Sequence, residues 1–185
     1  MQESAASQEV QQLLAHYRSR FSRDEVPGIV RCFATNAGLL KGMLEIAEKF
    51  LFAESLLENR HKEMMATYIS RQNTCPYCAD SHNAILRRQG VSSAVLCSLQ
   101  SDTLDPALFT SAEIALLTFA GKLNTESSDV TRIAVEVLLR EGWTEMQIAE
   151  AVHITALFAA FNRIANGFGL PSFFPDGPSH AWRRP

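Results

Sequence analysis

Almost nothing in these 185 residues alternates apolar and polar as a strand would, no segment is of low complexity, and no block of like charge interrupts the chain. The missing alternation points to an all-α protein. Seventeen basic against 20 acidic residues give a net charge of −3 without a basic face, which argues against nucleic acid or an anionic membrane as partner. The N-terminal stretch MQESAASQEVQQLL lacks a basic segment leading into an apolar one, and the least polar run, residues 151–161, is too short to cross a bilayer. A soluble, cytoplasmic protein is the expectation. Proline is scarce where helices need it to be: three residues (Pro27, Pro76, Pro106) precede position 170, and the other four crowd into the tail PSFFPDGPSHAWRRP. Four cysteines are too few to build a disulfide scaffold in a chain of this length, so a close pair reads as redox or metal chemistry.

What is present is a large apolar fraction, 46% hydrophobic against 20% charged, enough for one globular domain with an ample core. Helical periodicity predicts an exposed first helix over 8–20 and a long run over 36–71 that divides near Asn59. Thr110 with Glu113 and Thr144 with Gln147 form capping boxes before apolar periodic runs, and Gly90 and Gly142 stand where helices should stop. Helices at about 76–89, 110–123, 129–141 and 144–166 follow. The expected organisation is an N-terminal helical extension (1–24), an all-α domain (25–170) and an irregular tail (171–185). Phe173, Phe174 and Trp182 give that tail enough aromatic surface to pack on its own body or on a neighbouring subunit.

The chemistry concentrates in NTCPYCADSHN, residues 73–83. Pro76 suits the first position of a helix, which makes Cys75 its N-cap and puts Cys78 in the first turn. Both sulfurs then meet unpaired backbone N–H groups and the positive end of the helix dipole, which favours a thiolate. Cys75 and Cys78, three apart, can approach bonding distance. His82, four residues beyond Cys78, shares its helical face and can take the thiol proton directly or through water. Upstream, Glu63 lies on the helix of HKEMMATYISRQN; if that helix folds back antiparallel, the carboxylate reaches the far side of His82 and orients the ring.

Two other readings stand beside this one. CxxCxxxH offers three ligands of a zinc or iron site, with Glu63 or His61 as a fourth, although no second cysteine pair exists to complete a two-knuckle site. Alternatively the pair is packed in a core, against which the polar Asp80, Ser81 and His82 argue.

The pattern Glu63, eleven residues, Cys75-Pro-Tyr-Cys78, three residues, His82 resembles the signature of the alkylhydroperoxidase D-like proteins, within the carboxymuconolactone decarboxylase superfamily. The flanking ISRQNTCPYCADSHNAIL is most similar to its peroxidase-related branch, and the likeness extends more loosely over residues 25–170 to the closing FNRIANGFGLP. That resemblance implies an all-α single domain of about seven to nine helices, homo-oligomers such as dimers, trimers or hexamers, and a thiol peroxidase that uses no haem or other cofactor, only its cysteine pair. Carried over, Cys78 is the peroxidatic thiol, Cys75 resolves its sulfenic acid to a disulfide, His82 and Glu63 relay the proton, and an external dithiol or thioredoxin-like reductant restores the pair after a hydroperoxide is consumed. Tyr77 departs from the best-characterised members, which carry a second histidine between the cysteines. Decarboxylases of the superfamily lack the cysteine pair, and a non-redox relative would use only Glu63 and His82 for proton chemistry.

Several residues are expected to have lesser parts. Tyr68, Tyr77 and His153 are candidates for the pocket wall, with a core role the alternative for His153. Cys32 and Cys97 read as small core residues and Met64 and Met65 as gap fillers. Asn162 and Arg163 are expected to hold helices or subunits together, and His16, His61 and His180 to lie on the surface.

Overall fold

A computed structural model describes residues 3–22, 24–101 and 103–172. Among these there are nine α-helices and no strand: α1 (Gln8–Phe21), α2 (Gly28–Phe33), α3 (Ala37–Ala47), α4 (Asn59–Gln72), α5 (Pro76–Arg88), α6 (Ser93–Leu99), α7 (Ser111–Thr125), α8 (Arg132–Arg140) and α9 (Glu145–Gly167). The fold is all-α, as the sequence predicts. The helix starts are written in short polar side chains: the hydroxyls of Ser7, Ser92, Thr110 and Thr144 and the amide of Asn36 each accept a first-turn N–H. Both predicted capping boxes form, with Glu113 and Gln147 reaching back to the N-cap backbone.

Differences from the sequence expectations lie mainly between helices. The long run divides earlier than Asn59: α3 ends at Ala47, one π turn covers Glu48–Phe52, and an irregular stretch leads to α4. Helices α2 and α6, six and seven residues long, are too short to show a period of their own. The first helix is packed into the common core through Val10, Leu14 and Tyr17. Apart from Pro171 and Ser172, the tail expected to pack back on the body lies outside the described residues.

Helix α4 is the axis of the molecule, flanked by α5, α7 and α9. Met64, Met65, Ala66 and Ile69 are sealed on its inner faces. Helix α7 comes very close because of Gly121, where a Cβ would lie only 2.7 Å from the Gln72 amide and 2.8 Å from the Tyr68 ring. Helix α9 is long and apolar enough to cross a membrane by length and composition; here Ile148, Ile154, Phe158 and Phe161 are buried in the core, against α2, α4 and α7.

One buried polar device fixes the entry to α4. The Lys62 ammonium, with its side chain 2% exposed, sits 3.5 Å from the Glu150 carboxylate of α9 and donates to the Ala53 carbonyl at 3.3 Å. The same carboxylate accepts the Leu57 N–H at 3.0 Å and the Ser55 hydroxyl. The irregular segment 53–58 is therefore pinned from both sides, and α4 starts in a defined place. Removing the carboxylate strands a buried ammonium, so Glu150→Ala should lose about 3 kcal/mol or more of unfolding free energy. Urea denaturation would measure it, with an exposed variant such as Glu145→Ala expected to stay within about 0.5 kcal/mol of the parent.

Candidate functional site: a cysteine pair at the floor of an apolar cavity

Helices α4 and α5 form an antiparallel hairpin through the three residues Asn73, Thr74 and Cys75. The turn is tight enough to force Thr74 into the left-handed region (φ 50°), unusual for a β-branched residue. It is held there by Thr74 N–H to Arg71 O (3.0 Å), Cys75 N–H to Ser70 O (2.9 Å), and the Asn166 amide of α9 on the carbonyls of Asn73 and Thr74. Backbone strain is thus stored directly before the first cysteine and retained by α9.

The hairpin places Glu63 opposite His82, nineteen residues on, with Nδ1 2.7 Å from the carboxylate. Accepting that hydrogen bond puts the ring proton of neutral His82 on Nδ1 and leaves Nε2 as the acceptor. Phe158 packs edge-on against the imidazole, centroids 4.7 Å apart and planes at 84°, so the ring is fixed on a second side. Cys75 caps α5 and Pro76 occupies its first position. Both cysteines are free thiols, at 0% exposure for Cys75 and 4% for Cys78.

That small difference decides their geometry. A cavity of about 620 Å³ is walled by Val26, Met43, Leu51, Phe158 and Phe161, among others, and Cys78, His82 and Glu63 line it while Cys75 does not. One sulfur faces the cavity, and the other lies sealed behind it. On α5, Cys78, Ser81, Ile85 and Arg88 all line the cavity, a stripe at helical spacing that spans about 15 Å.

The two thiols also differ in acidity. The Cys78 thiol donates to the Cys75 sulfur and pulls the Cys75 pKa below the ordinary thiol value; burial opposes this, and the Cys78 backbone N–H and the Asn162 amide assist. Cys78 is held well above the ordinary value by the same hydrogen bond, by burial and by the charge that Cys75 would carry. The helix start thus favours one thiolate, on the sealed sulfur, with the second proton shared toward it. Lowering an acid's pKa means it is ionised at a lower pH than a free thiol.

The other expected residues are distributed as follows. Tyr77 lines the cavity, and its hydroxyl accepts the Ile29 N–H at 3.2 Å, which ties α5 to the start of α2; burial raises its pKa. Tyr68 is packed at Gly121 beside Gln72, and His153 is exposed against the Phe50 ring; neither lines this cavity. Asp80 is buried in the cavity wall and accepts the Ser172 hydroxyl. His61, expected on the surface, is half-buried edge-on to Trp143, where burial lowers its pKa, in a separate cleft shared with Arg60 and Glu113. Among the described residues, no three His, Cys, Asp or Glu side chains gather as a metal-ligand set. Cys97, expected in the core, is exposed, whereas Cys32 is buried.

Sequence reasoning missed a contribution from Asn162. It appeared only as a helix-holding residue, yet its fully buried amide also helps lower the Cys75 pKa. An asparagine on the inner face of an otherwise apolar helix is the signal that could have raised it.

Residues 37–120, which contain Glu63, Cys75, Cys78 and His82, match the model of the carboxymuconolactone decarboxylase family. A peroxidase-related protein with an alkylhydroperoxidase AhpD core, from Ralstonia eutropha JMP134, superposes with a TM-score of 0.80 at 23% identity, over 93% of this chain and 89% of its own. The chain has the AhpD-like fold, and its residues 37–120 resemble the carboxymuconolactone decarboxylase family. A peroxidase-related protein of Silicibacter sp. TM1040 aligns at TM-score 0.78 and 22% identity, covering 90% and 86% of the two chains. The debrominase Bmp8 shares the AhpD-like fold at TM-score 0.73 and 17% identity, covering 98% and 92%. No curated protein matches. At these identities the structural likeness establishes the fold.

In a background lacking Cys32 and Cys97, the reduced protein should lose one thiol proton below the ordinary range of about 8.5 and hold the second well above it. Thiolate ultraviolet absorbance against pH measures both steps. Cys75→Ser should remove the early one, and two coincident steps near the free-thiol value would contradict the asymmetry.

Proposed function

We propose that this AhpD-like protein is a thiol-dependent peroxidase that reduces organic hydroperoxides with Cys78 and Cys75, using no bound cofactor. The observation that carries the reading is the arrangement of the pair: one sulfur on the cavity beside the His82–Glu63 couple, its partner sealed directly behind. The names of the peroxidase-related relatives agree with it.

In this reading Nε2 of His82, oriented by Glu63, takes the Cys78 proton when a hydroperoxide enters, and the Cys78 sulfur attacks the outer peroxide oxygen. The O–O bond breaks, the alkoxide leaves as an alcohol with the proton from His82, and Cys78 becomes a sulfenic acid. Cys75 attacks that sulfur, an S–S bond forms, and the hydroxyl leaves as water, taking the Cys75 thiol proton or, where Cys75 attacks as the thiolate, a proton from solvent. The lowering of the Cys75 pKa supports this second step, because it favours the nucleophilic form of the resolving sulfur. An external dithiol or thioredoxin-like protein then reduces the disulfide by exchange. The apolar cavity favours a bulky alkyl group over hydrogen peroxide. Exposed Leu39, Ile46, Phe52 and Leu56 support assembly as a homo-oligomer. A cytoplasmic setting agrees with thiols that must be kept reduced, and neither nucleic acid nor membrane is needed.

A second reading rests on the same cavity. The debrominase Bmp8 has been crystallised, as a cysteine-to-alanine variant, with 2,3,4-tribromopyrrole. A cavity lined by Cys78 together with the aromatic rings of Phe158 and Phe161 suits a flat halogenated ring as substrate. There the dithiol would convert a carbon–halogen bond to carbon–hydrogen, one thiol proton going to the carbon and the other to solvent, with halide released and a disulfide left. Pure proton chemistry by Glu63 and His82 would give the two thiols no task.

Stopped-flow assays with cumene hydroperoxide separate these readings. Cys78→Ser should abolish turnover, by at least about 10³-fold, while Cys75→Ser should still consume one equivalent of peroxide and accumulate a dimedone-reactive sulfenic acid. Equal residual turnover in the two variants would overturn the assigned roles. Wild-type protein that spares the peroxide but debrominates a bromopyrrole would transfer the site to the second reading.

A further inference from the structure

We propose that the hydroperoxide taken by this site is that of a long-chain carboxylic acid: the chain lies in the apolar cavity, the peroxide meets Cys78 at the floor, and the carboxylate rests on Arg88 at the rim. The chemistry rests on the peroxidase reading above; the binding mode rests on the cavity alone.

Charge is unevenly spread over the cavity wall. Near Cys78 the wall carries two buried carboxylates that already have partners, Glu63 on His82 and Asp80 on the Ser172 hydroxyl. Arg88 lines the same cavity ten residues further on, as the exposed last residue of α5. Among the described residues its guanidinium makes no hydrogen bond or ion pair. The other arginine of the wall, Arg31, is occupied, donating through Nε to the Val26 carbonyl at 2.9 Å. Glu25 is exposed on the wall as well, and no ion pair joins it to Arg88. Between the two ends the wall is apolar, with Met43, Ala47 and Leu51 buried in it and Phe52 half exposed.

An anionic amphiphile is therefore oriented as it enters. Its head is repelled by the carboxylates at the floor and attracted to Arg88, while its chain removes apolar wall from water. Ten residues of helix rise about 15 Å, and a fully extended chain covers about 3.5 Å for every three bonds. A carboxylate at Arg88 thus stands about a dozen bonds from a peroxide at Cys78, the spacing of a hydroperoxyl group borne far along an acyl chain. The cavity, about 620 Å³, lies within the range of about 300–1,000 Å³ that small-molecule sites occupy. Turnover leaves the carboxylate untouched: the O–O bond is cleaved, the hydroperoxy acid becomes the hydroxy acid, the dithiol becomes the disulfide, and one water is released.

Linoleate hydroperoxide and its methyl ester share chain and peroxide and differ in the anion. With dithiothreitol as reductant and both compounds below their aggregation concentrations, the full-length protein should show kcat/KM about fivefold higher for the acid, the upper end for an exposed charge pair. The difference should lie in KM and shrink at high salt. Arg88→Ala should bring the acid-to-ester ratio to about one, and Arg88→Glu should invert it. Arg87→Ala, which removes an exposed neighbour that does not line the cavity, should keep the parental ratio. Equal use of acid and ester by the parent overturns the proposal, and so does an equal loss of the ratio in Arg87→Ala and Arg88→Ala. Displacement of bound Nile red by oleate and by methyl oleate, with no peroxide present, separates this inference from the reading beneath it. An Arg88-dependent preference for oleate in a protein that reduces no hydroperoxide would leave the carboxylate site standing and remove the peroxidase reading. No such preference in a protein that reduces cumene hydroperoxide would do the reverse.

Discussion

The site depends on one constraint: α5 must turn back along α4 within three residues, none of them glycine. A chain that does so has to spend a residue in the left-handed region, and Thr74 is that residue. Its unfavourable backbone persists because the surrounding groups leave no alternative: the last carbonyls of α4 and the Asn166 amide of α9 hold both sides of the turn. From that turn the rest follows. Cys75 becomes a helix cap, Cys78 comes to line the cavity, and His82 meets Glu63 across the hairpin.

Much of this was legible in the letters because it is local. Pro76 fixes the start of α5, the i, i+4 relation fixes Cys78 and His82 on one face, and the capping boxes at Thr110 and Thr144 mark two long helices to within a residue or two. The Glu63–His82 contact is less local, but it needs only an antiparallel hairpin of known helix lengths. Features that depend on a third element could not be read. The exposure of His153, the half-burial of His61 against Trp143, and the placement of Tyr68 over Gly121 are set by the packing of helices far apart in sequence. The short helices α2 and α6 carry too few turns to show a period. The difference between the two thiols is only partly local: the CxxC spacing brings the sulfurs together, but burial and the α9 side chains that modify their acidity depend on packing.

Two buried polar clusters bracket α4, and they do different work. At its start, Lys62 and Glu150 satisfy each other and the loop 53–58, and nothing there points into a cavity. At its end, Ser70, Asn73 and Asn162 satisfy one another where α4 runs into the turn that carries Cys75. Both clusters join α4 to α9, so the same pair of helices supplies rigidity at one end and polarity at the other.

The sealing of Cys75 has a kinetic meaning. A sulfur with no exposed surface cannot be approached from outside, so any molecule that exchanges with the pair must come through the cavity and touch Cys78 first. Under the proposed redox reading, oxidant and reductant would share one doorway and could not be bound together. Such a site would work in alternating half-reactions, with parallel lines in a double-reciprocal plot, and its mixed disulfide with a reductant would form on Cys78.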